Sequence, residues 1–172
     1  MEIEFARMAL VYPHLIACCI AIGLVFSNDL AMVKSLLKPD PAERLDARHL
    51  AILQTTMSRA LLALWITGAA IIALDVSVNG WGYFANPKLQ AKIAIVALLT
   101  LNGFALHSYV LPLIQKAGSL LNLSASQSAR ASFTGAVSAV SWFYAAMLGI
   151  GRPLNWKYSL GEVLAAYPLL VL

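Results

Sequence analysis

The chain has 172 residues, 60% of them hydrophobic and 12% charged, with a formal charge of +4. A water-soluble domain of this size carries about 25% charged residues, so there is too little polar surface here to cover a globule in water. That balance excludes a soluble enzyme and predicts one all-α domain over residues 1–172, a polytopic transmembrane helix bundle whose solvent is the lipid bilayer; the basic excess then marks loops and not a nucleic-acid partner.

The opening MEIEFARM carries two glutamates and one arginine, unlike the basic start of a secretory signal peptide. A span needs ~20 mostly apolar residues, and the first candidate covers about 8–28, with an amphipathic extension to Lys38. Inside it, VYPHLIACCIAIGLVFS places His14 in a run with no charge until Asp29. Neighbouring Cys18 and Cys19 point in different directions on a helix, so no disulfide joins them. Cys18 shares the face of His14, and without a methionine cluster it reads as a small buried hydrophobe rather than a Cu(I) ligand.

PDPAERLDAR, residues 39–48, reads as a polar connector to a second span over 49–74. The loop DVSVNGWGYFANPK leads to a third span over 89–114, and GSLLNLSASQSAR to a fourth over 131–150. In that fourth span Thr134, Ser138 and Ser141 share a side, and Gly135 with Ala139 gives the small-residue spacing of close helix packing. The tail 156–172 is apolar but short and holds Glu162 and Pro168; it reads as a fifth helix, spanning or interfacial, for a bundle of four to five spans. Lys34, Lys38, Arg44, Arg48, Lys116 and Arg130 in the first and third loops favour a cytoplasmic side there and an outside N-terminus.

No repeat, Gly-rich phosphate loop, CxxC pair or Ser-His-Asp arrangement is present, so chemistry must come from polar groups within the spans. Ionisable side chains at membrane depth cost ~2.5–3.5 kcal/mol each and are site candidates. The candidates are His14, Arg59, Asp75, Lys92 and His107. At 1.5 Å per residue, His14 lies ~9 Å and Lys92 ~5 Å below one face, whereas His107 is ~27 Å along span three. His14 and His107 therefore cannot share one haem iron, although His49 and His107 could pair at the other face. Plainer roles also fit: Lys92 and His107 near interfaces, Lys92 by snorkelling, Arg59 as an ion pair or carbonyl-bonded group, Asp75 as a helix-end residue, and His14 as an interhelical hydrogen-bonder.

Taken together, HLIACCIAIGLVFSNDL, SRALLALWITGAA and KIAIVALLTLNGFALH resemble the HemJ-type protoporphyrinogen oxidase family and the related CopD-like copper-resistance membrane domains, over about residues 10–115. The resemblance implies His14 as the ligand of a haem b iron, Lys92 as the essential lysine of span three, and Gly23, Arg59 and Gly68 as supporting positions, Arg59 on the cofactor. The family's tryptophan before the lysine is replaced by Gln90 and Ala91, and His107 stands at another spacing from the family's later histidine, leaving it as a second metal candidate. The expected protein is a haem-binding redox protein of a bacterial inner membrane, homo-oligomeric or in a membrane complex, meeting porphyrin or quinone between spans one and three. Two other classes stay open: a membrane protein handling copper or a small molecule, and a non-catalytic subunit holding partner proteins.

Overall fold

The structure, a computed structural model, describes residues 2–37, 47–117 and 122–172, with side chains described outside 31–37 and 47–50. The connector at 39–46, Lys38 and the side chains of Lys34, Arg48 and His49 lie outside the described residues, so the expectations attached to them stay as stated. The helices are α1 (Glu2–Leu37), α2 (Ala47–Asn79), α3 (Pro87–Ala105), α4 (Leu111–Ala117), α5 (Ala125–Ile150), α6 (Leu160–Leu164) and α7 (Ala166–Val171), with no strand among the described residues. Four stretches are long and apolar enough to cross a membrane: Glu2–Leu30, Ala51–Asn79, Pro87–Ala117 and Ala125–Ile150.

Local chemistry sets the boundaries. Helix α2 runs through Asp75 to Asn79, past the expected end at 74, and stops where Gly80 takes φ 73°, a conformation that suits glycine. A short 3₁₀ turn, Trp81–Ala85, then hands the chain to Asn86, whose side chain accepts from the Lys88 amide ahead of Pro87. Asn-Pro is a strong helix start, because the cap satisfies an orphan donor and proline has none to lose. Helix α5 begins earlier than expected. Ser124 and Gln127 form a reciprocal capping box, so residues 125–130 of the presumed serine-rich loop are helix.

Span three is α3 and α4 joined by a π turn, Leu106–Val110. Pro112 explains the widened turn: in a regular helix its ring would press on the Ser108 carbonyl four residues back.

The helices associate chiefly as two pairs, α1 with α2 and α3 with α5, with further contacts between α1 and α5. A central core of Ala21, Val25, Ala60, Leu99 and Trp142 draws on all four spans. A second cluster of Ala91, Ile95, Tyr144, Leu148 and Val163 involves α3, α5 and α6 alone. Trp65 also donates to Thr100 at 3.1 Å, linking α2 to α3. Outward faces carry large apolar side chains such as Phe5, Leu15, Phe26, Leu101, Phe104 and Phe133. In water such a surface would drive aggregation; in lipid it is simply solvated.

The tail is helical as expected, and of the two alternatives, spanning or interfacial, its length favours the second: the apolar helical stretch Leu160–Val171 is too short to cross, covering only ~18 Å at 1.5 Å per residue. It lies against the bundle. Ser141 and the Tyr167 hydroxyl are 2.8 Å apart, Tyr144 donates to the Val163 carbonyl, and the Tyr144 and Tyr167 rings meet edge-on at 5.5 Å. Ser141 and Tyr144 of α5 are buried, so these bonds hold the tail where lipid offers no substitute partner.

Candidate functional site

The α1/α2 pair runs antiparallel in a register readable from its polar contacts. Near the N-terminal face, Arg7 of α1 meets Asp75 of α2, Nε to Oδ1 at 3.4 Å. Seven residues further along α1 stands His14, and seven residues back along α2 stands Gly68. A Cβ on Gly68 would sit 3.5 Å from His14 Cε1 and 4.0 Å from Nδ1, so that edge of the imidazole packs beside the glycine. Its neighbour Thr67 supplies the hydrogen bond: His14 Nδ1 is 2.8 Å from Thr67 Oγ1.

Proton counting assigns the tautomer. Thr67 has one hydroxyl proton, and it donates to the Ala63 carbonyl at 2.6 Å. Toward His14 the hydroxyl is then an acceptor, so the ring carries its proton on Nδ1 and, when neutral, keeps a lone pair on Nε2. One residue before His14, Pro13 lies inside α1. Having no N–H, it leaves the Ala9 carbonyl without its intrahelical donor.

Lys92 stands on the opposite pair. It is five residues into α3, half-buried, with Nζ 3.8 Å from where a Gly149 Cβ would be on α5. Among the described residues the ion pair is Arg7–Asp75, and Lys92 has no carboxylate partner. The buried cluster at this level belongs to α3, α5 and α6, while the cluster uniting all four spans is the central one.

Above His14 by about 10 Å, or two helical turns, a cleft of about 480 Å³ opens between Arg7, Asp75, Asn79, Tyr83, Asn155 and Trp156. Asp75 is buried, 8% exposed, and accepts from Tyr83 Oη at 2.9 Å as well as from Arg7. Burial, and then the adjacent carboxylate, push the Tyr83 phenol up to about 12. Asn86, 1% exposed, donates to Asn155 Oδ1 at 2.6 Å and so ties the α5–α6 loop to the start of α3. Next in that loop, Trp156 holds φ 58°, left-handed and non-glycine, a strain of about 1–2 kcal/mol. Nearby, Glu162 turns back onto the Ser159 amide and hydroxyl, which hold its carboxyl below the usual range.

The remaining sequence candidates stand elsewhere. Arg59 is exposed and lines a shallow groove with Gln54, Thr55, Ser58 and Leu62. It lies eight residues before Thr67, so ~12 Å along α2 from the imidazole. His107 is partly buried in the π turn, fifteen residues beyond Lys92 and ~22 Å along the span. Neither is gathered to His14. Asp75 is more than a helix-end residue, being the buried acceptor of two cross-element donors.

Sequence reasoning missed Thr67, Arg7, Tyr83, Asn86 and Asn155. Pairing spans one and two as antiparallel neighbours would have set Arg7 opposite Asp75 and thereby placed Thr67 and Gly68 beside His14. The Asn86–Asn155 bond connects positions 69 apart and had no local signal.

No family model, curated protein or solved structure matches this chain.

Proposed function

We propose that this protein is a haem b-binding redox protein of a bacterial plasma membrane, with His14 as the residue that would hold the iron and the site between the α1/α2 and α3/α5 pairs. One observation carries the reading: His14 Nδ1 lies 2.8 Å from Thr67 Oγ1, whose own proton goes to the Ala63 carbonyl, which assigns the ring proton to Nδ1 and a lone pair to Nε2. Metal-binding histidines are held in this way, their second nitrogen engaged so that ring orientation and basicity are fixed.

The donor set suits haem better than a bare ion. Among the described residues no three or more His, Cys, Asp or Glu side chains gather at metal-holding distance. A porphyrin brings four nitrogens of its own and asks one of the protein. Bound there, it would supply one-electron chemistry tuned by the low dielectric of the bundle.

The chain's own residues have separable tasks. Thr67 fixes the tautomer, and a small residue at Gly68 leaves room for the ring beside α2. The central core of Ala21, Val25, Leu99 and Trp142 closes the bundle below and excludes water. Lys92, a cation without a carboxylate, is suited to a propionate or a carboxylated substrate through charge-assisted bonds.

The test is an absorption spectrum of the protein purified with haem supplied. Wild type is expected to show a Soret band, His14→Ala to lose it with helical circular dichroism unchanged, and Lys92→Met to retain less haem. A wild-type protein that stays colourless, or a His14→Ala variant with the full band, overturns the assignment.

A further inference from the structure

The cleft above the His14 layer is built from four separate elements, α1, α2, the 3₁₀ turn and the α5–α6 loop, and has no task in the haem reading. Its hydrogen-bonding inventory is lopsided. The Asp75 carboxylate is turned inward, with Arg7 and Tyr83 on its oxygens and its side chain only 12% exposed. Arg7 is not used up by that contact: its side chain is 57% exposed, and its Nε and Nη2 distances to Asp75, 3.4 and 3.5 Å, are long for a guanidinium–carboxylate pair.

Asn155 spends its carbonyl oxygen on Asn86, which leaves its NH₂ group as a donor. Among the described residues neither that NH₂ nor the Trp156 indole N–H has a hydrogen-bond partner. Asn79 turns an amide hydrogen onto the Asp75 carbonyl and contributes one amide oxygen. The residues of the wall therefore carry a guanidinium, an amide NH₂ and an indole N–H, with Asn79 as the acceptor among them. Glu162 is occupied by Ser159, and Glu2 and Glu4 of the first α1 turn do not line the cleft.

The position is that of a headgroup. The cleft sits at the ends of α1 and α2, and the 3₁₀ turn and α5–α6 loop that help line it carry Trp81, Phe84, Trp156 and Tyr158, all exposed, as aromatic side chains are at a membrane interface.

We propose that this cleft binds an oxyanion group, a phosphate or carboxylate, on a molecule resting at the membrane surface, with Arg7, Asn155 and Trp156 as donors. The oxyanion can belong to a lipid headgroup or to a free solute. This assignment stands apart from the haem reading and uses none of its residues.

The experiment is calorimetric titration of the purified chain in maltoside micelles, which bring no phosphate of their own. One arm adds short-chain phosphatidylglycerol and the other inorganic phosphate. Saturable single-site binding is expected, weakened about tenfold or more in Arg7→Gln because a charge-assisted donor is lost. Trp156→Gly relieves the left-handed backbone and so keeps its fold, and the same weakening is expected there from loss of the indole. Binding of the lipid alone assigns a headgroup; equal binding of inorganic phosphate assigns a free oxyanion. Saturation with neither probe, or unchanged affinity in both variants, overturns the proposal.

Discussion

His14 Nδ1 and Thr67 Oγ1 stand 2.8 Å apart across the α1–α2 interface, and the Thr67 proton is committed to Ala63. Thr67→Val keeps the shape of the side chain and removes the acceptor. The expected cost is about 1 kcal/mol in stability, the net worth of one such bond. The more telling effect is on the ring: ¹⁵N spectra should report a Nδ1–H imidazole in wild type and a mixture of tautomers in the variant. If His14 ligates haem, affinity should fall ~10–100-fold, as it does when a metal ligand loses its supporting partner.

Gly68 allows a prediction of opposite sign. Its added Cβ would meet His14 Cε1 at 3.5 Å, ordinary van der Waals contact. Gly68→Ala should therefore fold as well as wild type or better, gaining up to about 1 kcal/mol of helix propensity. Gly68→Leu cannot be accommodated without moving the ring. Thermal melting separates the two, and a tautomer signal unchanged in Gly68→Leu would show that the imidazole does not rest on this glycine.

The helical bundle was legible because lipid imposes one rule on every span: twenty or so apolar residues, with every backbone group bonded inside the helix. The errors fell where a polar side chain replaces that rule. Ser124 and Gln127 made helix from a stretch that reads as loop, and Gly80 set the end of α2 five residues late. The tail reads as apolar, yet its fixing to α5 through Ser141 and Tyr144 depends on tertiary bonds. Of the site, His14 and Lys92 stand out by their cost in lipid. Thr67 does not, because a threonine in a helix ordinarily bonds its own backbone, and Thr67 does this too.

The Arg7–Asp75 pair is unequal, and its two halves should respond differently. Asp75 is buried and Arg7 half in solvent. Arg7→Gln leaves a buried carboxylate with Tyr83 as its side-chain donor, and the expected loss is about 1–2 kcal/mol, below the cost for fully buried pairs because water screens the guanidinium. Asp75→Asn removes the charge that needs compensation and keeps an acceptor for Tyr83, so it should cost less. A double-mutant cycle in chemical denaturant checks this: single variants of equal cost would mean that burial of the carboxylate does not govern the pair.

Tyr83 gives the same cluster a pH signature. Its phenol is pushed from 10 up to about 12 by burial, by its bond to Asp75 and by that carboxylate's charge, with Arg7 opposing. A folded-state value above the unfolded one means that the neutral phenol contributes stability fully below pH 10, and that this contribution is lost as pH rises toward 12. Absorbance titration at alkaline pH should therefore show one fewer late-ionising tyrosine in Tyr83→Phe than in wild type, with wild type losing more stability than the variant between pH 10 and 12. Asp75→Asn removes the carboxylate but not the burial, so the late phenol should ionise earlier than in wild type and still above 10. A late-ionising population unchanged in Tyr83→Phe would assign the signal to others of the six and remove the phenol–carboxylate bond from the account of this face.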